Sequence, residues 1–463
     1  MPGRAVPVTL GYMILAVAAA AAALGTSTPA LSLKPCTLPG VVVARCGRLA
    51  VREDRRLPNG RRIKLFVAVV RAWGGRARSA PIFYLSGGPG GAAASGDAGF
   101  AVRALTDANR TRNLVLVDQR GVGRSAPLVC PTVPQTVDDA RACLQAVGRD
   151  PRLYTTDAAM DDVDAVRQAL HYRRIVLYGG SYGATAAQVY VARHGAHAAA
   201  AVLDGASLLD VPLFERMPRA TQRSFDALST RCAADATCRS VAPDVTADFR
   251  AVLARLRTSP VHDGAFTLDV AGAEGAVRLA LRNPAAAARL PLLLHRAAAG
   301  DFRPLLDFWE GSAADGESAP QLMYWAIVCA EGWARTDEAE VRRWAAGTDF
   351  LEDMLGQARA MQVVCPLLGP PLPAPDAGVV PKSAVPVLFL VGGTDPQDPL
   401  ENVEAAPSSF PNAQILVVPG AGHGSLQYGC LPAVAARFLT SHRLTPADRS
   451  CAAAVQPPPF GTS

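Results

Sequence analysis

The chain has 463 residues, half of them hydrophobic, and a formal net charge of +6 at pH 7. That length and apolar content suit one large α/β domain with an inserted subdomain, or two domains, around a sizeable core. The positive balance comes from scattered arginines with neither a sustained basic run nor an aromatic-interleaved stripe, which describes a solvated surface and argues against nucleic acid as a partner.

Residues 1–32 read as an export signal: Arg4 near the start, an apolar run over about 8–24, then small and turn-forming residues through Ser32. The run is short for a spanning helix and no later segment offers a comparable one, so a cleaved signal and no stable membrane insertion are expected. Leu33, Lys34 and Pro35 lack the small residues that precede a lipidated cysteine, so Cys36 reads as an ordinary thiol or half-cystine. Ten cysteines fit an oxidising compartment, periplasmic or extracellular. The simplest scheme pairs sequence neighbours: Cys36 with Cys46, Cys130 with Cys143, Cys232 with Cys238, Cys329 with Cys365, and Cys430 with Cys451. None has C-x-x-C spacing, which argues against a structural metal.

Strand-like runs at 63–70, 81–85, 113–117, 175–178, 201–203, 385–391 and 414–418 alternate with helical stretches. This alternation predicts a mainly parallel sheet with helices on both faces. Between Leu203 and Val385 the pattern changes to amphipathic, alanine- and arginine-rich helices with no clear strand series. Such an insertion lies above the carboxyl ends of the strands, where open sheets bind ligands. With the hairpin-like stretch over 42–70 counted as the first two strands, it falls between the sixth and seventh. The proline-rich segment 369–375 reads as the linker back to the sheet, and the tail from Gln456 is expected to fray. The expected division is a signal over 1–32, core over 33–209, a helical cap with its linker over 210–380, and the rest of the core over 381–463.

Gly179-Gly180-Ser181-Tyr182-Gly183 fits G-x-S-x-G between the strand-like run at 175–178 and a small-residue helix, which makes Ser181 a candidate nucleophile on a strained elbow. Among 40 glycines such a match arises by chance, so its partners decide its meaning. His423 sits in a glycine-rich loop after the last strand, whereas His171, His194, His197, His262, His295 and His442 fall in or beside predicted helices. Asp395 ends the penultimate strand, so the order is Ser181, Asp395, His423, that of a hydrolase triad in which the carboxylate orients the imidazole. Asp398 and Asp204 also lie between serine and histidine and stand as alternatives, with turn formation the ordinary role of such aspartates. The glycine-rich loop after Leu85 brings an N–H to the substrate carbonyl. Gly88 and Tyr182 are therefore the expected oxyanion donors. Neither Gly-Lys-Ser/Thr nor G-x-G-x-x-G spacing supports a phosphate site there.

The set Gly87-Gly88-Pro89-Gly90-Gly91, Asp118-Gln119-Arg120-Gly121-Val122-Gly123-Arg124-Ser125, Gly179-Gly180-Ser181-Tyr182-Gly183, Asp395-Pro396 and Gly422-His423-Gly424 resembles the proline iminopeptidase and tripeptidyl aminopeptidase family of secreted α/β-hydrolases, over about residues 35–455. The resemblance implies an α/β-hydrolase fold: a mainly parallel eight-stranded sheet, a helical cap between strands 6 and 7, and a C-terminal part like that of the tripeptidyl enzymes. It implies Ser181, Asp395 and His423 as catalytic, Gly88 and Tyr182 as the oxyanion hole, and a bracing role for Asp118 and Arg120. It implies no cofactor and no metal. Two departures stand out. Asp395-Pro396-Gln397-Asp398-Pro399 replaces the usual Asp-Pro-Val-Thr-Pro, adding a carboxylate, and Ser86 replaces the histidine common before Gly-Gly-Pro-Gly in the iminopeptidases, which places the chain nearer the tripeptidyl branch.

Cleavage at a free amino end needs a group for the substrate ammonium, and a buried carboxylate serves. Glu331, after the apolar stretch Met323-Tyr324-Trp325 and Cys329, is the candidate, against the plain reading of a solvent-exposed glutamate. Trp309, Tyr324, Trp325 and Trp333 are possible pocket walls, though aromatics so spaced commonly pack a helix core. The leading expectation is an exported serine aminopeptidase acting on peptide substrates with a free amino end. A carboxylic-ester or other acyl hydrolase with the same triad is the alternative, because fold and triad do not set the leaving group. A non-catalytic binding protein is disfavoured by the intact serine, aspartate and histidine in hydrolase order.

Overall fold

The computed structural model describes residues 31–461 apart from 133, 135, 264–265, 318–320, 333–335, 371 and 373–377. Residues 1–30 of the expected signal, Trp333 and most of the proline-rich linker lie outside the described residues. No helix among the described residues is long and apolar enough to cross a membrane.

The strands are β1 (Lys34–Leu38), β2 (Val42–Arg52), β3 (Arg62–Val70), β4 (Ile82–Leu85), β5 (Leu114–Val117), β6 (Ile175–Gly180), β7 (Ala198–Asp204), β8 (Val261–Asp263), β9 (Phe266–Leu268), β10 (Val387–Gly392) and β11 (Ala413–Val418). Nine form one sheet in the order β1-β2-β3-β5-β4-β6-β7-β10-β11, antiparallel from β1 to β5 and parallel from β5 onward. The expected count was eight. The additional strand is β1, an antiparallel edge strand whose Lys-Pro-Cys-Thr-Leu sequence has no hydrophobic alternation and which forms by pairing with β2. With β1 counted, the helical insertion lies between the seventh and eighth strands of the sheet, flanked by the same two segments as expected.

The central strands β4, β5, β6, β7 and β10 are buried on both faces, successive side chains pointing to opposite sides of the sheet. Leu65, Val67, Phe83, Leu85, Val115, Leu177 and Phe389 pack toward the helices Thr156–Ala169 and Tyr182–His194. Phe66, Ala68, Ile82, Tyr84, Leu116, Val176 and Leu390 pack toward the helices Ala98–Ala104 and Leu431–Ser441. The order also fixes where the site forms. Neighbouring β4 and β6 bring the loops after Leu85 and Gly180 side by side, and adjacent β7, β10 and β11 gather the loops after Asp204, Gly392 and Val418.

The insertion has its own core, centred on Phe225, Phe249 and Phe350, whose ring centroids lie 5.0 to 5.7 Å apart. It also holds a short hairpin, β8 and β9, too brief to show periodicity, so His262 lies on a strand rather than in or beside a helix. The C-terminal segment does not fray as expected. Phe460 is buried beneath the Arg231 guanidinium, and the N–H of Gly461 donates to the carbonyl of Ala288 at 3.1 Å. All five disulfides join the cysteine pairs expected from sequence proximity.

Candidate active site

Ser181 stands between β6 and the helix Tyr182–His194 with φ 56° and ψ −126°, a conformation that non-glycine residues rarely adopt. The flanking glycines are required by contact. A Cβ at Gly179 would lie 2.1 Å from the carbonyl oxygen of Gly183, and one at Gly183 would lie 2.1 Å from that of Leu85. The turn is therefore closed against both its own helix and the end of β4. Tyr182 opens the helix, where first-turn amides lack intrahelical partners and the helix dipole favours negative charge. Gly88, at φ 119°, borders the same cavity as Ser181.

Ser181 and His423 both abut the end of β7. The Ser181 N–H donates to the Asp204 carbonyl at 2.9 Å, and the His423 ring lies against Gly205, where a Cβ would approach Nδ1 to 3.0 Å. His423 Nδ1 is 2.9 Å from Oδ2 of Asp395 and 3.6 Å from Oδ2 of Asp398. Oδ1 of Asp395 accepts the amides of Gln397 and Asp398, both at 2.9 Å. Nε2 of His423 is buried and makes no hydrogen bond among the described residues. Burial is the largest influence and works against the imidazolium, as does the Arg282 charge, but the charge and hydrogen bond of Asp395 together with the charge of Asp398 outweigh them and hold the imidazole above its usual value. Burial would likewise raise the Asp395 carboxyl, yet the His423 charge, its hydrogen bond and the two amides hold it below the usual carboxylate range.

Asp204 faces another way. Its carboxylate accepts the amides of Ser425 at 2.6 Å and Leu426 at 2.9 Å and the Tyr178 hydroxyl at 3.0 Å, pinning the chain just beyond His423. The 118–125 segment braces the floor. Asp118 accepts the amides of Ala94, Ser95 and Arg124, joining the loop after β4 to the loop after β5. Arg120 is fully buried in a two-point contact with Asp162, and it also donates to the carbonyls of Glu53 and Leu153.

A cavity of about 580 Å³ separates the strand ends from the insertion and is bordered by Gly88, Ser181, Tyr182, Asp398, Glu331 and Arg282, among others. Glu331 belongs to the π-helical turn Val328–Gly332. It is half-buried: Oε1 accepts the N–H of Thr156 and Oε2 accepts its hydroxyl, each at 2.7 Å. The Thr156 hydroxyl lies 2.8 Å from the phenol of Tyr182, the residue beside Ser181. Tyr324 borders the cavity, whereas Trp325 is buried between the insertion and the core and Trp309 packs within the insertion. Thr156 and Arg282 carried no signal in the sequence, since one is a helix start and the other one of many arginines.

Among the described residues, two groups bring three potential metal-ligating atoms within 4.8 Å of one another: Asp395, Asp398 and His423, and Asp164, His194 and His197. In the second, Asp164 already accepts from Arg167, Gln168, Tyr190 and His197, so a cation would have to displace an arginine. In the first, the carboxylates are taken up by amides, Ser207 and the imidazole.

The family model described as alpha/beta hydrolase fold matches residues 80–428. The chain is 30% identical over 172 residues to the tripeptidyl aminopeptidase of Streptomyces coelicolor, covering 32% of each protein. It is 32% identical over 129 residues to a proline iminopeptidase of Arabidopsis thaliana, covering 28% of this chain and 27% of that one. It thus spans about a third of the length of the curated relatives it matches. Among solved structures, a proline iminopeptidase of Mycobacterium smegmatis aligns over 85% of this chain and 98% of its own, with 17% identity and a TM-score of 0.41.

Proposed function

This chain belongs to the alpha/beta hydrolase fold family, and we propose that within it the protein is an exported serine aminopeptidase that removes an N-terminal residue or short peptide, of prolyl or tripeptidyl type. Ser181 Oγ attacks the scissile carbonyl while His423 Nε2 takes its proton, and Asp395 holds the ring through Nδ1–H. The amides of Gly88 and Tyr182 stabilise the oxyanion. His423 returns the proton to the departing amine, leaving an acyl-enzyme that water hydrolyses by the same route in reverse. The helical insertion caps the site. Five disulfides support an oxidising destination, periplasmic or extracellular.

The observation that carries the aminopeptidase reading is the chain Glu331–Thr156–Tyr182, which holds a carboxylate on the wall of the cavity that Ser181 enters. A half-buried carboxylate attracts a substrate ammonium, whose charge offsets the cost of desolvating it. A simple acyl hydrolase has no use for such a group. The reading is tested with prolyl, alanyl and tripeptidyl chromogenic amides, free or acetylated at the amino end, beside a butyryl ester, with Ser181→Ala as the blank. Selective cleavage of free-amino amides is the expected result. Ester cleavage indifferent to the amino end would replace it with the acyl-hydrolase alternative.

A further inference from the structure

We infer that Asp398 is a positioning residue for His423, a second carboxylate that accepts the Nδ1–H alongside Asp395 and stabilises the imidazolium formed during acyl transfer. The inference rests on the proposed roles of Ser181, His423 and Asp395. Asp398 Oδ2 lies 3.6 Å from Nδ1, and Asp395 Oδ2 lies 2.9 Å from it. The longer separation is an ion-pair distance rather than a resting hydrogen bond, and a ring movement of roughly 1 Å closes it.

The second carboxylate is fixed in place. Its Oδ1 accepts the Ser207 hydroxyl at 2.5 Å, and the oxygen of that hydroxyl accepts from Asn402 Nδ2 at 2.9 Å. Its own N–H donates to Asp395 Oδ1 at 2.9 Å, so the two acids move as one turn, each with an Oδ2 toward the ring. Asp398 is 4% exposed and Asp395 is not exposed at all. Two carboxylates buried against one imidazole repel each other until a positive charge appears between them, and proton transfer from Ser181 to Nε2 supplies that charge. Nothing is transferred to Asp398: the serine proton resides on Nε2, and Nδ1–H stays on the ring as a donor.

The charged and titratable groups facing Asp398 are Asp395 from the loop after β10, His423 from the loop after β11, and Arg282 from the end of the helix Val270–Leu281, with the Ser207 hydroxyl after β7. Burial, with Asp395 adding to it against the opposing pull of His423, pushes the Asp398 carboxyl up to about 6. Its charge is therefore available through the neutral range.

The experiment compares Asp395→Asn, Asp398→Asn and the double variant with the parent and Ser181→Ala, in the full disulfide-bonded protein. Fluorophosphonate labelling of Ser181 and butyryl-ester hydrolysis are followed against pH, with melting temperatures as the folding check. The double variant should lose on the order of 10⁴-fold, the cost of removing the acid from such a triad. Asp395→Asn alone should lose at least tenfold less, because Asp398 can still accept the hydrogen bond from Nδ1–H and stabilise the imidazolium. In Asp398→Asn the acid limb of the pH profile should move to lower pH, since a negative charge favouring the imidazolium is gone; a merely structural role would leave the limb in place. If Asp398→Asn is unstable, Ser207→Ala, which keeps both acids but removes the hydrogen bond that favours the charged form of Asp398, should move the limb the same way. Equal loss in Asp395→Asn and the double variant, or an unmoved limb, overturns the inference. Labelling and hydrolysis that survive in Ser181→Ala would instead overturn the triad reading beneath it.

Discussion

The N–H of His423 donates to the carbonyl of Arg282 at 2.8 Å, so the loop bearing the histidine is fastened to the insertion as well as to the sheet. Asp204 holds the same loop from the other side through Ser425 and Leu426. The imidazole is thus oriented by three separate parts of the chain: the end of β7, the loop after β10 and the last residue before Asn283 of the insertion.

That fastening depends on Gly422, where a Cβ would lie 2.4 Å from the Arg282 carbonyl oxygen and 2.9 Å from that of Leu281, both backbone atoms. Gly422→Ala should displace the histidine loop, cost about 1–3 kcal/mol of stability, and slow serine labelling by at least tenfold. Thermal melting together with fluorophosphonate labelling checks this. An unchanged labelling rate would mean that the loop tolerates the shift.

Glu331→Gln keeps the shape of the Thr156 contact and removes the charge. The kcat/KM for free-amino amides should fall on the order of tenfold to a hundredfold, the worth of a charged hydrogen bond, while butyryl-ester hydrolysis stays within about twofold. Equal losses on both substrates would assign Glu331 to supporting Tyr182 instead.

Glu274, in the helix Val270–Leu281, gives stability its own pH dependence. Its carboxylate accepts the amides of Leu351 at 2.8 Å and Asp353 at 3.0 Å, but burial dominates and raises its pKa to about 7. Between the usual glutamate range and about pH 7 the folded state holds a proton that the unfolded chain has released, so this group's contribution to stability falls as pH rises through that window. Glu274→Gln should therefore melt higher than the parent at pH 8 and no higher at pH 5. Melting curves at the two pH values decide it.

The Cys329–Cys365 disulfide closes a segment of 36 residues and sits two positions before Glu331. Replacing both cysteines with serine should cost about 3–4 kcal/mol through the freed unfolded chain. It should also erode the preference for free-amino substrates before the loss of serine labelling. Denaturant unfolding and the amide-to-ester ratio measure the two effects separately.

The sequence alone determined the features that depend on neighbours along the chain. Alternating apolar runs marked seven of the nine sheet strands individually, and the start of the 42–70 stretch marked an eighth. The glycine spacing around Ser181 expressed the close approach of helix and strand, and the short loops between cysteines matched the pairs that form. β1 is not legible in the sequence, because an edge strand with proline has no pattern of its own and exists through β2. The order of strands, and with it which loops meet, was decided by tertiary structure. So was the choice among three aspartates: Asp204 turns to the amides of Ser425 and Leu426, Asp395 to the imidazole, and Asp398 to both Ser207 and the imidazole edge. Thr156 reaches Glu331 across 175 residues, and Ser207 reaches Asp398 across 191. Spacing along a chain reports geometry within a few residues, whereas such contacts depend on the packing of whole helices and strands, which places a side chain only once the core has formed.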